Sequence, residues 1–221
     1  MASAKMLEKR IPVRRCRWHT AGMAMRNGIL LVVSGPSGSG KTTLCRRLAA
    51  DQAVHYSISC TTRQPRPGEV ADLDYHFLSR EAFAARVAAG DFLEHALVHG
   101  NHYGTLRGEV LAHLAAGTDV VMDIDVQGAA QVRACADPAI QLARVDLFVM
   151  PPSEAELQAR LTGRGTDSAE TIALRMANAI EEMRHWPSYT YRLLSGTHEA
   201  DYARIRALLT AEQLRVSRLR C

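Results

Sequence analysis

Residues 35–42 read Gly-Pro-Ser-Gly-Ser-Gly-Lys-Thr, a full match to the pattern G-x-x-x-x-G-K-[ST], and no other feature of the chain narrows its possible folds as much. The pattern works only where a buried strand runs into a loop that opens a helix. That context is present. Ile29, Leu30, Leu31, Val32 and Val33 form a short apolar run suited to a strand buried on both faces, and Leu44, Leu48 and Ala49 then recur at helical spacing. In such a turn the backbone N–H groups of residues 38–42 converge on polyphosphate oxygens, with the positive end of the helix dipole behind them. Gly35, Pro36, Ser37, Gly38, Ser39, Gly40, Lys41, Thr42 and Thr43 are the expected cradle of a nucleoside triphosphate. Lys41 supplies a mobile charge for the β- and γ-phosphates, and the Thr42 hydroxyl a ligand for Mg²⁺. What accepts the phosphate has to come from the rest of the chain.

Strand and helix patterns alternate beyond this loop. A strand is expected over residues 55–59, then a turn-rich segment over 61–74 whose Pro65, Pro67 and Gly68 exclude regular helix, then a helix over 81–89 stopped by Gly90. Alternation over 92–98 reads as a strand, 100–104 as a turn and 107–116 as a helix. Residues 120–125 read as a buried strand with acids at its C-terminal end, where open parallel sheets gather ligands. The remainder predicts a helix after Gly128, a strand over 145–149 and a helix from the Ser153 and Glu156 capping pair to Leu161. A longer helix from Asp167 and Glu170 toward Trp186, a strand over 191–194 and an amphipathic helix over 200–219 complete it. The expected class is α/β: a P-loop NTPase parallel-sheet core over 28–58, 106–150 and 176–221, an inserted mixed-β lobe over 59–105 and a helical lid over 151–175. Gly163, Arg164 and Gly165 make a cationic hinge within that lid.

With 221 residues and 47% hydrophobic content, the chain can bury one sizeable core, and no apolar run approaches the roughly 20 residues of a membrane-spanning helix. The five cysteines contain no C-x-x-C pair and indicate neither a disulfide framework nor a zinc site, which fits a reducing cytoplasm. The net charge of +4 is unevenly placed: residues 1–27 hold seven basic residues against Glu8, net +6, so the remainder is net −2. Trp18 stands alone in that arm, which lacks the interleaved aromatics of a nucleic-acid-binding segment and the apolar stretch of a secretory signal. It reads as a disordered extension ahead of alternative starts at Met23 and Met25, an Arg-rich organellar presequence being the other reading. No nucleic-acid or membrane partner is expected.

Arg63 and Arg66, three residues apart on a proline-braced loop, are spaced to grip one phosphate from two sides. Taken alone, two such arginines are more often plain surface. Because the donor phosphates already have their loop, a second clamp points to a phosphorylated acceptor. Around the pair stand Thr61-Thr62-Arg63-Gln64-Pro65-Arg66-Pro67-Gly68-Glu69, Asp74-Tyr75-His76-Phe77, Phe92-Leu93-Glu94-His95-Ala96, Asn101-His102-Tyr103-Gly104-Thr105, Asp123-Ile124-Asp125-Val126-Gln127-Gly128 and Gly163-Arg164-Gly165. In order and spacing these blocks resemble the successive motifs of guanylate kinases, across about residues 28–209.

The resemblance implies transfer from ATP to GMP, with dGMP also accepted and Mg²⁺ as cofactor. It implies that Arg63, Arg66, Tyr75 and Tyr103 hold the GMP phosphate and that Ser59, Glu94, Thr105 and Asp125 meet the guanine edge. It further implies that Arg160, Arg164 and Arg175 close over the triphosphate beside Lys41, and that Asp123 orients Mg²⁺ through water. The chemistry of Glu94 agrees independently: a carboxylate accepts from guanine N1–H and the exocyclic amine, a pairing adenine cannot offer. The chain departs from the family pattern in three places: Asp72 stands where glycine is usual, Tyr189-Thr190-Tyr191 and Ser195-Gly196-Thr197 replace a Tyr-Asp-Tyr and Asn-Asp-Asp run, and the basic arm is additional. Two rivals share the fold. Glu94 and the paired arginines count against another small-molecule kinase, and Lys41 and Thr42 count against a non-catalytic guanylate-kinase-like module that grips phosphorylated partners.

Overall fold

The computed structural model describes residues 26–51, 54–98, 100–162 and 169–219. Residues 1–25 of the basic arm, with Trp18, Met23 and Met25, and the hinge with Arg164 and Asp167 lie outside the described residues, whereas Arg26 and Asn27 of the arm belong to the fold. The leading apolar run becomes β1 (Leu30–Ser34), all five residues buried, and feeds through the phosphate loop into α1 (Lys41–Asp51) and then β2 (Val54–Tyr56). The chain next builds an inserted unit of β3 (Cys60–Thr61), β4 (His76–Phe77), α2 (Arg80–Ala89), β5 (Phe92–Val98) and β6 (Asn101–Leu106). It returns with α3 (Arg107–Ala115), β7 (Asp119–Asp123), α4 (Val126–Ala134), α5 (Pro138–Ala143) and β8 (Arg144–Met150). The helix pair α6 (Glu154–Thr162) and α7 (Ala169–Met183), then β9 (Tyr191–Leu194) and α8 (His198–Gln213), complete it.

The main sheet runs β2-β7-β1-β8-β9, and every neighbouring pair is parallel. Successive strand residues point to opposite faces, so a strand covered on both sides has to be apolar throughout. On one face Leu30 and Val32 of β1 pack with Val110 and Leu114 of α3, Val132 of α4 and Ile140 of α5. On the other, Leu31 and Val33 pack with Leu44 and Leu48 of α1 and with Ile205 and Leu209 of α8. Because β1 is central and pairs β7 with Val33 opposite Asp123, the phosphate loop and the acidic end of β7 emerge side by side at the C-terminal edge of the sheet. The inserted unit has its own mixed sheet, β4-β3-β6-β5, over a small core of Cys60, Phe83 and Phe92. The α6–α7 pair closes on Leu157, Leu161 and Ala179.

Several sequence expectations need correction. The strand placed over 55–59 ends at Tyr56, where the chain leaves the main sheet and crosses to β3 of the inserted unit. The turn placed over 100–104 is mostly strand: Asn101 already pairs with Val98, and Gly104 belongs in β6 because a Cβ there would meet the Phe92 ring at 2.9 Å. Asp125 does not extend β7; its side chain accepts from the Gly128 N–H and caps α4, which starts two residues before that glycine. Helix α5 was not expected, although Asp137 and Pro138 carry an N-cap and first-position signal. The final helix stops at Gln213 rather than Leu219, because a 3-10 turn over Val216–Arg218 turns Arg218 inward onto Glu212 at 2.7 Å.

Arg26 latches the start of the described chain. Its guanidinium meets the Asp119 carboxylate at 2.5 and 2.8 Å, and that carboxylate, 4% exposed, also accepts from the Ile29 N–H and from Gln213. Removing the arginine leaves a buried charge with neutral partners only. Arg26→Ala is expected to cost about 2 kcal/mol, read as a lower urea midpoint at constant slope, and an unchanged midpoint would show that the neutral partners suffice.

Candidate functional site

The phosphate loop is shaped by what it passes. Gly35 adopts φ +147°, and a Cβ there would lie 2.3 Å from the Val149 carbonyl oxygen, so the loop leaves β1 directly against the end of β8. Gly38, at φ +86°, sits where a Cβ would be 3.2 Å from both Leu157 and Leu161, which puts the loop in contact with α6. Lys41 folds across the loop toward the Pro36 carbonyl at 3.3 Å. The Thr42 hydroxyl donates to Asp123 Oδ2 at 2.5 Å. These are hard oxygen donors beside a phosphate cradle, a set that suits Mg²⁺.

On the α6 side, Gly38, Ser39, Gly40, Arg160, Ser195, Gly196, His198 and Asp201 line one cleft. Arg160 donates to Glu156 at 3.0 Å and to the Ser195 hydroxyl at 3.4 Å. Ser195 in turn donates to Asp201, which also accepts the Gly196 N–H. The serine that departs from the family pattern thus joins Arg160 of α6 to Asp201 of α8. Arg175 lines a different cleft, on the other side of the loop, with Ser37 and Asp125. Arg164 lies outside the described residues.

The acceptor candidates gather between the two sheets. Ser59, Tyr75, Glu94, Tyr103 and Asp125 line one cavity, with Tyr56, Asp74 and Asp123. Glu94 is 4% exposed, and the Thr105 hydroxyl donates to its Oε1 at 2.6 Å. Burial pushes its carboxyl up to about 7, with the Thr105 bond opposing and the nearby Asp125 charge adding to the rise. Asp123 borders this cavity and bonds Thr42, so the phosphate loop and the cavity share a wall. Across the wall Arg46 of α1 donates to Asp74 at 2.7 Å, tying the inserted unit to the core.

The paired arginines differ. Arg63 forms two bonds of 2.9 Å to Glu69 and lies over the Tyr75 ring at 5.2 Å, whereas Arg66 is exposed and meets Glu69 through its backbone, its N–H donating to the carboxylate and its carbonyl accepting from the Glu69 N–H. The bond to Glu69 raises the Arg63 pKa, and the same bond holds Glu69 below the usual carboxylate range. An arriving phosphate would therefore compete with Glu69 for Arg63. Sequence reading singled out neither Glu69 nor the cavity residues Tyr56 and Asp74 as site residues; the signal for Glu69 was its place at the end of the arginine loop. The Asp72 departure has a backbone consequence: at φ +63° it occupies the left-handed region that glycine would adopt freely.

Gly128 was also missed. A Cβ there would fall 2.5 Å from Glu94 Oε2, so the carboxylate rests on the bare backbone of α4. Gly128→Ala adds helix propensity, about 0.5–1 kcal/mol, while pushing Glu94 off its position. The expected result is an unchanged or higher melting point with a KM for the acceptor raised about tenfold, a loss near 1.4 kcal/mol, and an unchanged KM for the donor. Equal acceptor KM would show that Glu94 has room to move.

A family model described as guanylate kinase matches residues 27–212. The guanylate kinase of Alkalilimnicola ehrlichii is 48% identical over 192 residues, covering 86% of this chain and 92% of that protein. The guanylate kinase of Paramagnetospirillum magneticum is 48% identical over 197 residues, covering 87% and 89%. Among solved structures, guanylate kinase from Anaplasma phagocytophilum superposes with a TM-score of 0.73 at 31% identity, covering 90% of this chain and 93% of that one.

Proposed function

The chain belongs to the guanylate kinase family, and on that premise we propose how its residues divide the work of moving the γ-phosphoryl group of ATP to the phosphate of GMP, giving ADP and GDP. The observation that carries the assignment is the shared wall: a complete phosphate loop lies on one side of Thr42 and Asp123, and a cavity holding a buried carboxylate lies on the other. Nothing in the fold favours a non-catalytic interaction module.

On the donor side, loop N–H groups and Lys41 hold the triphosphate, and Arg160 and Arg175, joined by Arg164, place positive charge over the transferring group. Thr42 and Asp123 are the residues that would hold Mg²⁺, which neutralises phosphate charge when bound. On the acceptor side, Arg63, Arg66, Tyr75 and Tyr103 hold the GMP phosphate, and Ser59, Glu94, Thr105 and Asp125 read the guanine. The attacking oxygen belongs to an already ionised phosphate, so no side chain has to remove a proton. The 2′-hydroxyl has no assigned partner, and dGMP is expected to serve as well as GMP. The chain works in the cytoplasm on this reading, and none of the described helices is long and apolar enough to cross a membrane.

Glu94 makes the reading testable by pH. Guanine donates to the ionised carboxylate, and in the free enzyme that form predominates only above about 7. The kcat/KM for GMP should rise about tenfold per pH unit below that value and level off above it. A flat profile across this range would remove Glu94 from guanine recognition.

A further inference from the structure

Three histidines and two carboxylates, none of them lining the clefts described above, crowd the seam between the inserted unit and the core. His55 lies on β2, the edge strand of the main sheet; Glu109 and His113 sit four residues apart on α3 and share a helix face. Ligand atoms of these three residues all lie within 4.8 Å of one another, and all three side chains are partly exposed. His55 Nε2 is 2.8 Å from Glu109 Oε1, and the His55 and His113 rings stack with centroids 3.7 Å apart. From the inserted unit, His76 on β4 brings its Nε2 to 4.0 Å from Glu109 Oε2. Its other ring nitrogen is 2.7 Å from Asp72 Oδ1, and Asp72 is the residue held at φ +63°.

We propose that His55, Glu109 and His113 form a Zn²⁺-binding site, with His76 of the inserted unit as the fourth ligand. The donor set is the first argument. Imidazole nitrogens with one carboxylate suit zinc; a tetrahedral zinc needs donor atoms about 3.3 Å apart, so on binding the His55 and His113 rings turn out of their stack and His76 moves in to join the three. The second argument is orientation. A ligating histidine usually has a carboxylate on its second nitrogen, and Asp72 takes that place on His76, leaving Nε2 toward Glu109. An ion pair accounts for His55 and Glu109 alone; it does not account for His113, whose ligand atom joins theirs in the same group. Occupied, the site pins β4 to α3 and so joins the acceptor side of the cleft to the core. The cysteine count gave no hint of it, because no cysteine takes part.

The test uses the full chain, freed of metal and titrated with Zn²⁺, and separately with Co²⁺, in excess Mg²⁺ to keep Thr42 and Asp123 engaged. One equivalent of Zn²⁺ should bind and raise the melting point, and Co²⁺ should give the intense visible absorption of a tetrahedral site. His55→Asn and His113→Asn should each weaken Zn²⁺ binding by about 100-fold, and His76→Asn by about tenfold. All three should keep wild-type kcat without zinc, which shows that they fold. Equal Zn²⁺ affinity in wild type and the His55→Asn, His113→Asn double variant would overturn the proposal. So would an octahedral Co²⁺ spectrum.

Discussion

Replacing Lys41 with alanine is expected to lower kcat by about 10³-fold or more while leaving the melting point and the Kd for GMP near their wild-type values. The asymmetry follows from what the side chain touches. Among the described residues its ammonium bonds only the Pro36 carbonyl of its own loop, at 3.3 Å, outside both faces of the core, so the folded state loses little without it. On the proposed reading, its charge acts on the donor phosphates at the moment negative charge shifts from leaving to attacking oxygen, whereas GMP would sit across the wall made by Thr42 and Asp123, with no direct use for Lys41. Stopped-flow turnover with calorimetric GMP binding separates the effects. A variant keeping more than a few per cent of wild-type kcat would remove this loop from the donor role.

Glu94→Gln should lower kcat/KM for GMP by about two to three orders of magnitude, because a neutral amide turns a donor toward guanine donors and leaves a buried mismatch. The same substitution should stabilise the free enzyme in alkaline buffer. The native carboxyl titrates at about 7, above its ordinary 4.5, so the folded state holds a proton that the unfolded chain has released. Wild-type stability therefore falls as pH rises from about 4.5 through about 7, by up to roughly 3 kcal/mol from this group. Glutamine carries no such penalty, so the melting-point gap between variant and wild type should open as pH rises from about 4.5 to about 7 and level off above that. A constant gap would mean that Glu94 is not desolvated in the free enzyme, and unchanged GMP efficiency would take it out of the site.

Much of this architecture is legible in the sequence because a doubly covered parallel sheet leaves a strong imprint. β1 is apolar from Leu30 to Val33 because both its faces are covered, the loop after it needs glycine where it passes Val149, and both features sit in one short window. Boundaries were read less well where a residue serves a neighbour in space rather than its own element. Gly104 looks like a turn residue but makes room for Phe92, and Asp125 looks like a strand end but caps α4. Arg218 looks like the polar face of a helix but turns inward to Glu212. Within the site, the residues that meet in the acceptor cavity come from distant segments, Ser59, Tyr75, Glu94, Tyr103 and Asp125, and ordered motifs were what brought them to notice. Tyr56 and Gly128 meet the site through contacts with distant segments that no local spacing encodes.

The account stands on guanine-specific phosphoryl transfer, and the most direct measurement of it is ADP release from ATP with Mg²⁺ in the presence of GMP, dGMP, AMP, CMP or UMP in turn. Rapid turnover is predicted with GMP and dGMP, and with the other three less than about 1% of that kcat/KM, the discrimination a site built on unpaired buried acceptors provides. Release with GMP no faster than background ATP hydrolysis, or equal release with AMP, would contradict it.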